Sequence, residues 1–159
     1  MRVTLYFLFF MLVLLQTGCR TVAPFPAVDF KQTDWKIQEG QAVWKPNHKA
    51  PEIAGEILAA QNSTGKTVVQ FIKNPFPITI AQTTSNAWQI EFPPQNKTFS
   101  GRGKPPAKFG PLPTGWLQLA NCLKGNSPPA NWSFQKIDEM NWRLENKKTG
   151  ESIEGFLNP

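Results

Sequence analysis

The apolar and polar positions divide the chain into an apolar opening, a strand-rich body and one amphipathic helical stretch. Residues Leu5 to Leu15 form an unbroken apolar run. It is shorter than the about 20 apolar residues that a helix needs to cross roughly 30 Å of hydrocarbon. Beyond it, Trp35-Lys36-Ile37 alternates, Ile53 to Ala60 is small and apolar, Val68 to Ile72 is β-branched and aromatic, and Ile78-Thr79-Ile80 follows a Pro-rich corner. In Trp88-Gln89-Ile90-Glu91-Phe92 every apolar side chain falls on one face, as a half-buried antiparallel strand requires. Trp116, Leu119, Ala120 and Leu123 recur at helical spacing, so a helix is expected from about Trp116 to Leu123. Thr114 is available as its cap, and Gly125 is placed to end it. Strands return at Trp132-Ser133-Phe134 and Trp142 to Glu145, and Asn146 to Gly150 forms a turn into Ser152-Ile153-Glu154. The pattern predicts a mainly β (α+β) sheet with one helix in the middle.

The opening is an address rather than fold. Met1-Arg2, the apolar run and then Gln16-Thr17-Gly18-Cys19 have the layout of an export signal with a basic end, an apolar stretch and small residues before the cut. The Gly18-Cys19 junction resembles a bacterial lipobox, in which the signal is cut before a Cys that carries a diacylglyceryl lipid and a fatty acyl such as palmitate. Gln16 stands where that pattern usually has Leu. Cleavage elsewhere, or retention of the run as an anchor with Cys19 incidental, is the other reading. The organisation expected is a signal over 1–18, a lipidated Pro-containing tether over 19–33, and a single domain over 34–159.

Cysteine usage agrees with lipidation. Only Cys19 and Cys122 occur, so acylating Cys19 leaves Cys122 unpaired, in an apolar stretch where a buried thiol behaves as a small hydrophobe. The chain carries a net charge of +6, spread along its length except for Arg102, Lys104 and Lys108 in the Gly/Pro-rich segment from Ser100 to Pro113. Export argues against nucleic acid as the partner of that segment, which reads as a solvated loop.

Chemistry-bearing motifs are sparse, and no enzyme activity, cofactor or metal is expected. Ala60 to Thr67 fits the relaxed phosphate-loop spacing. That loop must open a helix whose amides face the phosphates, whereas Val68 to Ile72 is a strand sequence, so a hairpin turn through Asn62 to Gly65 is expected instead. His48 is the only histidine, which leaves no two-histidine zinc site, and it sits in the loop sequence Pro46-Asn47-His48-Lys49. The six Trp and twelve Phe are conspicuous for a chain of 159 residues. They fit either ordinary core packing or a sheet concavity lined by Trp35, Trp44, Phe71, Trp88, Phe92, Leu119 and Trp142. Such a concavity could take an acyl chain at about 0.8 kcal/mol per buried CH₂.

The order of these features resembles the LolA/LolB family of lipoprotein carriers and receptors. The resemblance lies in the Cys19 lipobox, the early Trp35-Lys36-Ile37-Gln38-Glu39-Gly40 strand and the Trp88 to Phe92 strand. It continues in Gly110-Pro111-Leu112-Pro113-Thr114-Gly115-Trp116-Leu117 running into Lys124-Gly125 with Pro128 and Pro129 after it, and in the late Trp132 to Leu144 pair. It spans most of the mature chain. It implies an incomplete antiparallel β-barrel with the helix as lid and an apolar interior for lipoprotein acyl chains, handed over by a periplasmic carrier protein. It further implies residence on the outer membrane, facing the periplasm, with Phe76 in Asn74-Pro75-Phe76-Pro77 as the candidate membrane-contact loop. Arg20 stands where an Asp would hold an enteric lipoprotein at the inner membrane. The alternative is a structural or interaction lipoprotein of the envelope with a packed core and no ligand.

Overall fold

β1 (Trp35–Lys45), β2 (Ile53–Asn62), β3 (Thr67–Lys73), β4 (Phe76–Thr83), β5 (Ala87–Phe92) and β6 (Lys97–Arg102) follow one another as an antiparallel meander. The chain then crosses the sheet as α1 (Gly115–Leu123) and returns as β7 (Trp132–Lys136), β8 (Asn141–Asn146) and β9 (Ser152–Leu157). β9 pairs antiparallel with the free side of β1, which gives one sheet in the order β6-β5-β4-β3-β2-β1-β9-β8-β7. The two end strands, β6 and β7, do not pair with each other, so the sheet is an open curl rather than a closed barrel. This computed structural model describes residues 25, 28–31 and 34–159; the signal, Gly18 and Cys19 lie outside the described residues.

Alternation along the strands decides which side chains meet the helix. Trp44 faces Ile53 in the β1–β2 register, and the same face continues through Ile57, Ala59, Val69, Phe71, Ala81 and Ile90, all buried in one core cluster with α1. Trp116, Leu117, Leu119 and Ala120 of α1 have no exposed surface. The helix ends as its sequence predicts. Gly125 adopts φ +85 and its N–H returns to the Cys122 carbonyl at 2.8 Å.

Four features depart from the expectations. β1 runs on to Lys45 instead of ending at Gly40. A sixth strand occupies Lys97–Arg102, so the irregular segment begins at Gly103 rather than Ser100. Thr114 is the residue before α1, yet its side chain makes no capping bond. Its hydroxyl donates to the Ala107 carbonyl at 3.3 Å, and the amides of the helix start find another partner. Finally Phe25, inside the expected tether, meets the sheet on the side away from α1. Its backbone N–H donates to Gln89 Oε1 at 2.9 Å, and its ring lies 5.5 Å from the Lys66 ammonium.

The hairpin expected at Asn62 to Gly65 is present. Asn62 N–H donates to the Lys66 carbonyl, Gly65 N–H donates to the Asn62 carbonyl, and β3 follows at once. Lys66 and Thr67 therefore do not open a helix, which removes the geometry a phosphate loop needs. His48 is exposed in the β1–β2 connection, where its N–H meets the Thr149 carbonyl at 3.2 Å.

Candidate functional site

Two aromatic clusters lie on the concave side. In the first, the Phe71 and Trp116 rings stack at 4.6 Å, and Trp44 meets both edge-on at 6.0 and 5.8 Å. All three rings are buried, and Leu119, on the same helix as Trp116, is fully enclosed. Alternating burial of β-branched, aromatic and small residues along β1, β2 and β3 leaves room for the large Trp116 side chain at the sheet's centre. Ala59 and Gly55 flank Ile57 on the facing strand, and the Phe71 ring lies over Gly55.

The second cluster stands at the open edge. Trp88 of β5 meets Phe109 edge-on at 5.9 Å, and Phe109 also meets Phe99 of β6 at 5.2 Å. Gly101 makes this possible. A Cβ there would stand 2.5 Å from the Trp88 ring, so the indole can lie across β6 only over a glycine. Phe109 belongs to the segment linking β6 to α1, where Leu112 N–H returns to the Phe109 carbonyl in a tight turn. Beside it is an apolar cleft of about 360 Å³, lined by Lys97, Phe99, Phe109, Gly110, Pro111 and Leu112. Its volume is within the about 300–1,000 Å³ of small-molecule sites. Phe109 is 38% exposed, in contrast to the sealed first cluster.

The root of this segment is held by polar bonds. The Ala107 carbonyl accepts from Trp132 Nε1 at 3.2 Å as well as from Thr114, and the Pro106 carbonyl accepts from Gln118 Nε2 at 2.9 Å. The link between β6 and α1 is thereby tied to β7, the opposite end strand of the sheet. The capping role expected of Thr114 falls to Glu151, at the start of β9. Its carboxylate accepts the N–H of Gly115 at 2.9 Å, the N–H of Thr114 at 3.1 Å and the Trp44 indole N–H at 3.3 Å. A negative charge at a helix N-terminus is favourable there. Glu151 is only 3% exposed, and burial pushes its carboxyl up to about 7 against the three hydrogen bonds, which favour the ionised form.

The residues predicted to line a concavity divide accordingly. Trp44, Phe71, Trp88, Phe92, Leu119 and Trp142 all join the buried core cluster. Trp35 does not. It is an odd number of residues from Trp44 on an unbroken strand and so faces the other way, where its ring meets Phe30 at 5.6 Å. Phe76 projects from the β3–β4 hairpin with 71% of its surface exposed. Cys122 is buried and unpaired, and desolvation pushes its thiol up to about 11, which makes it a poor nucleophile. Among the described residues, no group of three or more His, Cys, Asp or Glu is placed to hold a metal ion. Phe109, Leu112 and Glu151 were not singled out by sequence. The Leu112-Pro113-Thr114-Gly115 motif marked the neighbourhood of the first two, while nothing near Glu151 pointed to it.

No protein-family model matches this chain, and no curated protein matches its sequence.

Proposed function

We propose that this chain is a non-enzymatic, lipid-anchored lipoprotein of the bacterial envelope, acylated on Cys19. It faces the periplasm from the outer membrane and takes up an acyl chain at the open edge of a LolA/LolB-like half-barrel. The observation that carries this reading is the cleft beside Phe109. It is apolar, it borders the edge strand β6, and its cover is a partly exposed ring on a turn between two fixed ends. Swinging Phe109 off Trp88 and Phe99 would open a path toward the aromatic interior. The cost is the two ring contacts, about 0.5–1.5 kcal/mol each. Burying six methylenes offsets it with about 5 kcal/mol at 0.8 per CH₂. The cargo on this reading is the lipid of another lipoprotein delivered by a periplasmic carrier, and the exposed Phe76 on the β3–β4 hairpin would meet the membrane.

The test has two parts. Intact mass of the chain purified from membranes should correspond to a start at Cys19 plus diacylglycerol and acyl groups, and Cys19→Ala should lose them. With the Cys19→Ala protein, a fluorescent fatty acid should be taken up saturably with a shift in Trp emission, and Leu112→Asp should abolish the uptake. Absence of both uptake and shift would sink the reading. A second reading, a structural or interaction lipoprotein with no ligand, is favoured by one observation: the Trp44–Phe71–Trp116 cluster already fills the centre of the concave side. It predicts no saturable uptake by either protein.

A further inference from the structure

The face of the sheet opposite α1 carries a row of side chains that solvent barely reaches. Strand register sets Ala60, Val68, Gln82 and Gln89 side by side across β2, β3, β4 and β5. Their chain neighbours Ala59, Val69, Ala81 and Ile90 join the core cluster with α1, so this row points the other way. Ala60 and Val68 nonetheless have no exposed surface, and Gln82 and Gln89 keep only 5% and 2% of theirs. Phe25 comes to this row. Its N–H donates to Gln89 Oε1 at 2.9 Å, and Gln89 Nε2 donates to Glu91 Oε1 at 2.6 Å, which orients the amide with its oxygen toward Phe25. Lys66, just before β3, sets its ammonium 5.5 Å from the Phe25 ring, and partial burial lowers the pKa of that ammonium. Farther along, Val28 and Phe30 are half-buried, and the Phe30 ring meets Trp35 edge-on at 5.6 Å on the same outer face.

This seat lies close in sequence to the lipid site. Six positions separate Phe25 from Cys19, and sixteen separate Cys19 from Trp35, where the sheet begins. At about 3.5 Å per residue, six positions reach at most about 21 Å and sixteen about 56 Å. We infer that the chain around Phe25 is a strap, docked on the outer face of β3–β5, that shortens the tether and turns this face toward the bilayer. The inference rests on the proposed acylation of Cys19. The cleft beside Phe109 is on the same side as α1, so a docked strap leaves its mouth turned to the periplasm. Release of Phe25 from Gln89 and Lys66 gives the domain the rest of its reach.

Two measurements test the strap. In the Cys19→Ala chain, hydrogen exchange of the Phe25 amide, read by NMR, should be at least tenfold slower than in the same chain carrying Gln89→Met, which keeps the side chain's length and removes the acceptor. In the lipidated full chain, held in nanodiscs of phosphatidylcholine, a dye on Thr98→Cys reports the outer face of β6, and a dye on Ser127→Cys reports the chain beyond α1. Transfer to a headgroup acceptor should be at least twofold more efficient from Thr98→Cys. Phe25→Ala lies outside every strand and the core cluster, and it should remove that difference. A Phe25 amide that exchanges equally fast in both chains overturns the strap, as does a transfer difference that survives Phe25→Ala. Both outcomes leave acylation standing, whereas a chain shown by intact mass to carry no lipid overturns the strap's role together with the acylation reading.

Discussion

The two aromatic clusters use the same chemistry to opposite ends. At Trp44, Phe71 and Trp116 three rings are stacked and edge-packed with no more than 5% of any ring's residue exposed, and the Glu151 carboxylate anchors the cluster through the Trp44 indole. At Trp88, Phe99 and Phe109 the geometry is similar, but one ring rides on a turn and stands partly in solvent. What separates them is the backbone that carries the rings. The first cluster is built from strands and a helix paired throughout, and the second depends on an irregular segment tied at both ends, at Pro106 and Ala107 and again at Thr114, with Phe109 on the turn between them. Buried rings on fixed elements determine stability, whereas a ring on a tethered turn can move without unfolding anything.

The largest effect is therefore expected from breaking the first cluster. Trp116→Ala removes a fully buried ring from between Phe71 and Trp44 and leaves a cavity that the surrounding strands cannot close. About 3–5 kcal/mol of stability should be lost, read as a lower midpoint in urea unfolding. A loss under 1 kcal/mol would mean that the centre of the concave side is loosely packed and could itself admit a ligand.

The next effect comes from the carboxylate beside it. Glu151 is raised from 4.5 to about 7, so the folded state holds its proton more tightly than the unfolded chain does. Its contribution is fully present below about pH 4.5 and is lost as pH rises through about 7, a swing of up to about 3 kcal/mol at 1.36 kcal/mol per unit. Urea midpoints at pH 5 and pH 8 should show the wild type less stable at the higher pH. Glu151→Gln cannot titrate and should lose that dependence. It should also be less stable than wild type at pH 5 by about 1–3 kcal/mol, because its amide NH₂ must face an N–H donor that the carboxyl accepted. A pH slope that survives in Glu151→Gln would assign the effect to other groups.

Much of the frame was legible because strong periodicity left little choice. Trp88, Ile90 and Phe92 alternate, α1 repeats at helical spacing, and Gly125 stops it. β6 was missed because Phe99 is its one inward-facing large apolar side chain, with a glycine, Gly101, two residues on, so an edge strand reads as a polar loop. Trp35 reads as a concave-side ring only while β1 is taken to stop at Gly40; its odd spacing from Trp44 on the unbroken strand puts it on the other face. Glu151 had no local signature at all. It caps a helix 36 residues earlier, and only the pairing of β9 with β1 brings it there.

The smallest effect on stability is expected at the second cluster, where it is also the most informative. Phe109→Ala deletes a partly exposed ring with two edge contacts and leaves the Ala107 and Pro106 bonds of the segment untouched, so the loss should be about 1 kcal/mol. If the ring is a cover, its removal should raise the affinity for a fluorescent fatty acid several-fold, because the cost of displacing it disappears while the walls at Phe99 and Leu112 remain. If the ring is simply part of the core, the same substitution should lower stability by the 3–5 kcal/mol of a buried Phe and leave fatty-acid binding at zero. Melting temperature and uptake measured on one protein thus separate the two clusters' roles: a small shift with increased uptake makes the open edge a binding site, and a large shift without uptake makes it a second piece of core.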